Sequence, residues 1–335
     1  MNIRDRRAIH QAAGQSLAEA KGDPRKILII YLLIVSGLTL TASAVSVILS
    51  NRIAETGGLG NIGLRAILST GKSILPMVQS VILLGLELGY CTMALRISRG
   101  EAVSTDTLFG GFRRFFPLVI AQMLQGAIYL LAALLCLYPS TYIFLMLPSS
   151  ESFQQIITHA MGSTSTLNPA LILDEATMAA ASEALLPMLW IFFGLYLLLL
   201  IPLHYRYRMV IYRLIDHPRA RPMLALLESR AMMRRNRFAL FRLDLNLWWF
   251  YLLQALIMVV CYGDALLPLL GVTLPFSSTV SYFLFMTLSL ILQFVVYHFS
   301  MNRVSVTYAT AYNTLLKEQE EQAAPVPANP WQNQY

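Results

Sequence analysis

Charged residues are scarce in this 335-residue chain. Only 13% of its residues are Asp, Glu, Lys or Arg, whereas 56% are hydrophobic and the mean hydropathy is +0.58. A soluble domain has about 25% charged residues, so the composition excludes an ordinary water-soluble protein of this length. It is typical of a protein whose solvent is the lipid bilayer.

The sequence also lacks the motifs of common enzymes and metal sites. It has no His-Glu-x-x-His pair and no Gly-x-Ser-x-Gly turn, and its five histidines are scattered. Cys91, Cys136 and Cys261 all fall inside hydrophobic stretches, so we expect neither a disulfide nor a zinc site. We therefore predict a protein that is not an enzyme and that uses no cofactor or metal ion.

Six hydrophobic stretches are long enough to cross the ~30 Å hydrocarbon core of a bilayer, which takes about 20 helical residues. They lack the alternating pattern of barrel strands, and in lipid each span must satisfy its own backbone hydrogen bonds. The sequence therefore predicts an all-α membrane protein, a bundle of six transmembrane helices with cytoplasmic amphipathic helices. The predicted spans are residues 27–49, 74–95, 117–138, 185–205, 247–268 and 280–301.

Lysine and arginine are absent from residues 139–184, and their distribution elsewhere indicates the orientation of the chain. Of the 25 basic residues, 22 fall in the N-terminal arm, the second and fourth loops and the segment after the last span. Short translocated loops avoid Lys and Arg, so we expect both termini in the cytoplasm. The exceptions, Arg52, Arg65 and Lys72, lie in the predicted outer first loop, where residues 50–73 also fit a short interfacial helix.

Several segments on the cytoplasmic side carry helix and turn signals. A helix over residues 3–20 should end at Lys21-Gly22-Asp23-Pro24. Between the fourth and fifth spans, Asp216-His217-Pro218 predicts a turn, and Pro222 fits the first position of an amphipathic helix. The predicted domains are a cytoplasmic amphipathic arm (1–26), a six-helix transmembrane domain (27–316) and a disordered cytoplasmic tail (317–335).

Five short motifs resemble a known family. They are Asp106-Thr107-Leu108-Phe109-Gly110-Gly111-Phe112, Tyr212 to Pro218, Leu226 to Met233, Phe241 to Leu245 with Trp248, and Val306 to Tyr312. On these residues the chain resembles, up to about Leu316, the bacterial integral membrane family catalogued as domain of unknown function 975. The resemblance implies a multi-pass protein of a bacterial plasma membrane, and it implies no reaction. Family members commonly have glycine where this chain has Arg235, so we expect Asn236 to provide a left-handed helix end.

Ten arginines crowd residues 206–242, where the nearby acids are only Asp216, Glu228 and Asp244 and the net charge is +7. The positive-inside rule alone predicts basic residues here. The uniform use of arginine also favours bidentate contacts with the phosphates of anionic lipid headgroups, and both interpretations stay open. Nucleic acid is not expected as a partner, because no recognition fold accompanies the charge. The headgroup candidates are Arg230, Arg234, Arg235, Arg237 and Arg242, and the other five arginines are Arg206, Arg208, Arg213, Arg219 and Arg221.

Glu87 puts a carboxylate inside the second predicted span. An ionised residue at the centre of a membrane helix costs about 2.5 to 3.5 kcal/mol, so it is normally paired, protonated or in contact with water. One interpretation is an ion pair with an arginine at the cytoplasmic end, or a hydrogen bond to another helix beside Gly85 and Gly89. The other is an ion or proton pathway.

Other polar residues lie in or near the spans. His298 is in the last span, and Asp264 follows Tyr262-Gly263, where the fifth span could break. Trp248 and Trp249 fit the aromatic belt at the inner interface, and we expect Asp244 beside them to pair with a loop arginine.

Two functions follow from these features. The first is a non-enzymatic protein that organises anionic lipids, a membrane protein partner or a second copy of itself at the inner leaflet. The alternative is a small permease or exporter component whose translocation pathway uses Glu87 and the break near Asp264.

Overall fold

A computed structural model describes residues 3–55, 62–161, 175–218, 220–269, 275 and 278–323. These residues are mostly helical, and no strand occurs among them. The α-helices are α1 (Arg6–Ala18), α2 (Pro24–Glu55), α3 (Ile62–Ser98), α4 (Thr105–Phe109), α5 (Phe115–Leu145), α6 (Pro148–Met161), α7 (Glu175–Tyr207), α8 (Val210–Asp216), α9 (Pro222–Met233), α10 (Arg237–Asn246), α11 (Trp248–Cys261), α12 (Gly263–Leu269) and α13 (Ser278–Ala323). A 3₁₀ helix, Gly110–Arg114, lies between α4 and α5. The chain divides into two compact units, unit 1 (residues 1–120 and 209–335) and unit 2 (residues 121–208).

Five candidate membrane spans occur among the described residues, each long and apolar enough to cross a bilayer. They are Pro24–Glu55, Gly63–Ser98, Phe115–Leu145, Glu183–Asp216 and Thr279–Glu321. Each contains one of the predicted hydrophobic stretches. The prediction of an all-α protein with several apolar helices is therefore confirmed for the described residues.

The predicted fifth span, residues 247–268, is not a single helix. α11 ends at Cys261, where the Tyr262 N–H donates to the Met258 carbonyl at 3.1 Å, and α12 begins at Gly263. With 14 residues, α11 is about 21 Å long, which is shorter than the ~30 Å hydrocarbon core. α10 and α11 together are long and apolar enough to cross a bilayer, but they are bent by 68° relative to each other. The number of six spans therefore holds only when this bent pair counts as one.

Two helices extend beyond the predicted ends of their spans. α3 begins at Ile62, so residues 62–73 are its first turns and not a separate interfacial helix, while residues 56–61 lie outside the described part. α13 continues to Ala323, so residues 317–323 of the predicted tail are helical. This extension is held on unit 1 because the Glu318 carboxylate accepts from the Ile3 N–H at 2.8 Å. Residues 324–335 lie outside the described part.

The N-terminal arm forms α1, as the sequence predicts. The Asp5 carboxylate accepts from the Ala8 N–H at 3.2 Å and caps the helix, and Ile9 and Ala13 are buried. The chain then turns at Gly22, whose φ of 130° lies in the region that favours glycine. A Cβ atom there would overlap the main-chain oxygen of Val103. The expected end of this helix at residues 21–24 is therefore correct.

The second half of α13 is the most enclosed part of the helix. Val306, Ala309, Ala311 and Tyr312 have no exposed surface, and α1, α2, α3, α9 and α11 all pack against α13. Its first half instead exposes large apolar side chains, such as Phe299. The core on α13 therefore lies at the end of the helix that follows the apolar span.

A close approach of backbones joins α3 to the segment that follows it. A Cβ atom at Gly89 would overlap the main-chain oxygen of Leu108, and one at Gly111 would overlap the main-chain oxygen of Gly85. Only glycine permits this contact, which is typical of small residues between packed helices. The family-like motif at residues 106–112 is thus a packing element against α3.

Unit 2 contains most of α5, with α6 and α7. α6 packs against α7, and the rings of Phe144 and Phe153 meet edge to face at 6.2 Å. Large apolar side chains on both long helices are exposed, for example Tyr138 on α5 and Leu198 on α7. Such surfaces are expected where helices face lipid, because lipid tails are as apolar as the side chains. Residues 162–174 of the predicted exterior segment lie outside the described part.

Candidate functional site at the arginine-rich end

We call the arginine-rich end the part of unit 1 formed by residues 3–26, 93–114, 209–246 and 302–323. It combines α1, the last turns of α3, α8 to α10 and the second half of α13. Polar side chains connect these elements in three clusters. A cavity also opens between the N-terminal residues, the α9–α10 turn and the end of α13.

The first cluster surrounds Asp216 at the end of α8. Its carboxylate accepts two hydrogen bonds from the Arg99 guanidinium, at 2.7 and 2.9 Å, and one from the Tyr312 hydroxyl at 2.7 Å. The Asn313 side-chain oxygen accepts from the same guanidinium at 3.1 Å. The hydrogen bonds to Asp216 raise the pKa of the Arg99 guanidinium. This cluster ties the end of α3 to α8 and α13.

The second cluster joins α8 to α9. The Arg213 guanidinium donates to one Glu228 carboxylate oxygen from Nε at 2.8 Å and from Nη2 at 2.6 Å. Arg213 is buried, and beside it the Tyr212 ring stacks on Tyr312 with ring centroids 5.3 Å apart. One of the ten clustered arginines is therefore used inside the fold and is not a surface charge.

The third cluster lies where α10 meets α11. Asp244 is buried and accepts a hydrogen bond from the Tyr308 hydroxyl, which also bonds to the Tyr251 hydroxyl. Trp248 and Trp249, which follow at the start of α11, are exposed. The predicted interface anchors thus differ in position, since the two tryptophans are on the surface and Asp244 points into unit 1.

Sequence reasoning missed Arg99 and Tyr312 as the partners of Asp216, because they are 117 and 96 residues away in the chain. A signal was available. Asp216 and Tyr312 belong to two of the family-like motifs, Tyr212 to Pro218 and Val306 to Tyr312.

The structure divides the five headgroup candidates. Arg230, Arg234, Arg235 and Arg242 are exposed, whereas Arg237 is half-buried, and its Nε atom has no hydrogen-bond partner among the described residues. The Arg242 guanidinium lies over the Phe238 ring, 5.0 Å from its centroid. Arg234 and Arg235 instead line a cavity. These arginines therefore belong to separate surfaces.

The cavity, of about 1070 Å³, lies between the N-terminal residues, the α9–α10 turn and the end of α13. Its lining includes Arg4, Arg234, Arg235, Glu318 and Glu321. We call it the arginine basin.

The turn between α9 and α10 differs from our expectation. Asn236 has a φ of −113°, so it does not provide the left-handed helix end that we expected there. Two main-chain hydrogen bonds form the turn: the Arg234 N–H donates to the Ala231 carbonyl, and the Asn236 N–H donates to the Met233 carbonyl. The Asn236 side chain donates back to the Met232 carbonyl at 3.2 Å. A left-handed residue is therefore not needed.

The three polar residues predicted within the spans, Glu87, His298 and Asp264, do not contact one another in the described part of the chain. Glu87 is exposed on α3, and within the described part of the chain no ion pair or hydrogen bond joins it to an arginine or to another helix. His298 stacks on Phe294, and its Nδ1 atom is buried without a hydrogen-bond partner among the described residues. Asp264 is half-buried in the first turn of α12. No contact links these three side chains where the chain is described.

Among the described residues, no three His, Cys, Asp or Glu side chains lie close enough together to bind a metal ion. Each of the three cysteines is a free thiol within a helix.

Comparisons with known proteins give one match. A family model described as "Protein of unknown function (DUF975)" matches residues 1–317. No curated protein and no solved structure matches the chain.

Proposed function

Because the chain belongs to DUF975, a family described only as proteins of unknown function, we propose a function from its own surfaces. We infer that it is a non-enzymatic membrane protein that gathers anionic lipids around its arginine-rich end. The several apolar helices are compatible with a multi-pass membrane protein and support this proposal. The positive-inside rule supports a cytoplasmic position for this end, so the lipids are those of the inner leaflet.

The surface formed by α10 and the start of α11 carries this proposal. Phe238, Leu245 and Trp248 are 65%, 51% and 61% exposed, and Arg242 is exposed beside them. A helix with exposed apolar and arginine side chains is typical of the boundary between lipid headgroups and acyl chains. α10 lies at 68° to α11, so the exposed side chains of α10 do not continue the line of the apolar helix that follows.

Charge adds to this surface because two of the three nearby acids are paired with other arginines. Asp216 is held by Arg99 and Glu228 by Arg213, while Asp244 is buried and bonds to the Tyr308 hydroxyl. Asp216 and Glu228 therefore compensate little of the charge on Arg242. A basic residue near an anionic membrane surface contributes about 1 kcal/mol to attraction, and arginine can bind a phosphate with two hydrogen bonds.

The experiment compares lipid retention by native mass spectrometry after mild release from nanodiscs with equal phosphatidylglycerol and phosphatidylcholine. Arg242→Gln should reduce the preference for phosphatidylglycerol by about fivefold, because one such charge is worth about 1 kcal/mol. The control changes Arg65 to Gln, an exposed charge at the start of α3. Equal losses in both variants, or none, would refute the proposal. A second protein that is retained by the wild type and lost in the first variant would assign this surface to a partner.

The exposed Glu87 favours a second candidate, a permease or exporter component. A carboxylate within an apolar span is costly, and no described residue forms an ion pair with Glu87, so a polar pathway along α3 would compensate it. If protons follow this pathway, wild-type proteoliposomes should dissipate a pH gradient faster than the Glu87→Gln variant. The control is Glu55→Gln, an exposed carboxylate at the end of α2. Rates equal to those of empty liposomes would reject proton transport.

A further inference from the structure

The arginine basin is separate from the surface around Arg242. Ile3, Met232 and Leu315 line it with side chains that are almost completely buried, while Arg234 and Arg235 of the α9–α10 turn are exposed along it. Its volume of about 1070 Å³ slightly exceeds the range for small-molecule sites, about 300 to 1,000 Å³. The basin is therefore large enough to hold a ligand of metabolite size.

The position of the basin along α13 argues for a ligand from water. Tyr308 bonds to Asp244, and four residues after Asp244 the exposed Trp248 begins α11, where a tryptophan fits the level of the membrane interface. Glu318 lines the basin ten residues further along α13, about 15 Å at 1.5 Å per residue. The headgroup layer on each side of a bilayer is only about 5 to 8 Å thick. Measured along α13, the basin lies beyond that layer.

The charges of the lining define the chemistry of the ligand. Arg234 and Arg235 are adjacent, and two guanidinium groups bind phosphate more readily than any neutral group does. The side chain of Asn236 does not cap α10, because it bonds to Met232, so the positive end of this ten-residue helix adds to their field.

The acids that α13 contributes to the lining add a second requirement. Glu318 accepts from the Ile3 N–H and is held in place, and Glu321 is exposed one turn further along α13. Carboxylates accept hydrogen bonds, so they suit hydroxyl or amino groups and would repel a bare anion. A ligand that meets both the arginines and the acids carries a phosphate and hydrogen-bond donors.

We propose that the arginine basin binds a soluble organic phosphate that carries hydroxyl or amino groups, with the phosphate at Arg234 and Arg235 and the donors at Glu318 and Glu321. A phospholipid headgroup offers the same phosphate chemistry, and the distance along α13 favours the soluble source. This site does not depend on the lipid surface at Arg242.

The test uses the full chain in phosphatidylcholine nanodiscs and measures equilibrium binding of ADP, which has phosphates, hydroxyls and an amino group. Wild type should bind it saturably, and Arg234→Gln with Arg235→Gln should weaken binding by at least about tenfold, because both phosphate contacts are lost. The control is Arg230→Gln, an exposed arginine one turn earlier that does not line the basin. Circular dichroism and gel filtration check that each variant is folded.

Two further arms separate the outcomes. Glu321→Gln should weaken ADP binding while pyrophosphate binding stays the same or increases, because pyrophosphate has no hydroxyl or amino donor. Arg242→Gln should leave ADP binding unchanged, so failure of the lipid proposal and failure of this one are distinguishable. Absence of saturable ADP binding, or equal loss in the Arg230→Gln control, would overturn the proposal. Retention of phosphatidylglycerol that depends on Arg234 and Arg235, without ADP binding, would overturn the soluble source.

Discussion

The two halves of α13 show how differently one helix is held in two parts of the molecule. Only 17% of its most apolar 18-residue window is buried by protein, whereas Val306, Ala309, Ala311 and Tyr312 in its second half are completely enclosed. Polar contacts follow the same division, since Tyr308 and Tyr312 bond to Asp244 and Asp216. The apolar half has a surface that suits lipid, whereas the other half is held by specific side-chain contacts.

The glycine contact between α3 and residues 108–111 offers the strongest way to break this difference. Gly89→Ala should prevent normal folding, at a cost of about 4 kcal/mol or more, because its Cβ atom would overlap the Leu108 main-chain oxygen. Gly37→Ala in α2 has open space around it and should be neutral or slightly stabilising. Thermal unfolding in detergent measures both. Similar melting temperatures for the two variants would contradict the role of this contact.

Removing a buried ion pair tests whether the arginine-rich end is held by its charges. Arg213→Ala leaves Glu228 without its partner and should destabilise unit 1 by about 3 kcal/mol, since breaking a buried pair is costly. The matched exposed pair is Arg52 with Glu55, whose side chains are 68% and 64% exposed. Arg52→Ala should cost less than about 1 kcal/mol. Denaturant titrations that give equal losses would show that burial does not distinguish the two pairs.

A single hydroxyl sharpens the comparison further. Tyr312→Phe keeps the ring that stacks on Tyr212 and removes the hydroxyl, which donates to Asp216 and also interacts with Arg213, so we expect a loss of about 1 kcal/mol. Tyr138→Phe, at an exposed tyrosine of α5, should have no measurable effect. Unfolding free energies of both variants provide the check, and a neutral Tyr312→Phe would mean that the Asp216 cluster adds no stability.

The smallest expected effect is a dependence on pH. Burial, followed by the charges of Arg303 and Arg6, lowers the pKa of His10 from its ordinary value of 6.5. The folded state therefore resists protonation of His10, and the stability this contributes is present above pH 6.5 and decreases as the pH falls below it. Hydrogen exchange measures the protection factors of the α1 amides, which correct for the intrinsic effect of pH on exchange. These protection factors should be smaller at pH 5.5 than at pH 7.5. In His10→Gln this difference should shrink, and an unchanged difference would assign it to another group.

Much of the helical organisation could be predicted from the sequence. Five of the predicted hydrophobic stretches coincide with candidate spans of the structure. Gly22 and Pro24 predicted the end of α1, because the backbone preferences of glycine and proline act locally. The break at Tyr262-Gly263 was visible as a helix-breaking signal, yet the 247–268 stretch is long enough by composition to suggest an unbroken span. Hydropathy counts apolar residues and does not register a change of direction.

The candidate site was less predictable. The sequence indicated that arginines gather between residues 206 and 242, but it did not distinguish Arg213, which is buried in an ion pair, from Arg242 on the surface or Arg234 in the basin. Arg213 and Arg242 both lie among apolar residues, so their neighbours in the chain do not distinguish the buried arginine from the exposed one. Their different roles depend on partners that are distant in the chain or on different faces of a helix.

The sequence by itself determined that this protein is helical, apolar and electrically asymmetric, because length, hydropathy and charge are properties of short segments. The tertiary structure decided which glycines let α3 meet residues 108–111, which carboxylates hold which arginines, and where the arginine basin opens. Such contacts join residues up to 315 positions apart, as between Ile3 and Glu318. They depend on how helices pack, and the sequence of any one helix does not contain that information.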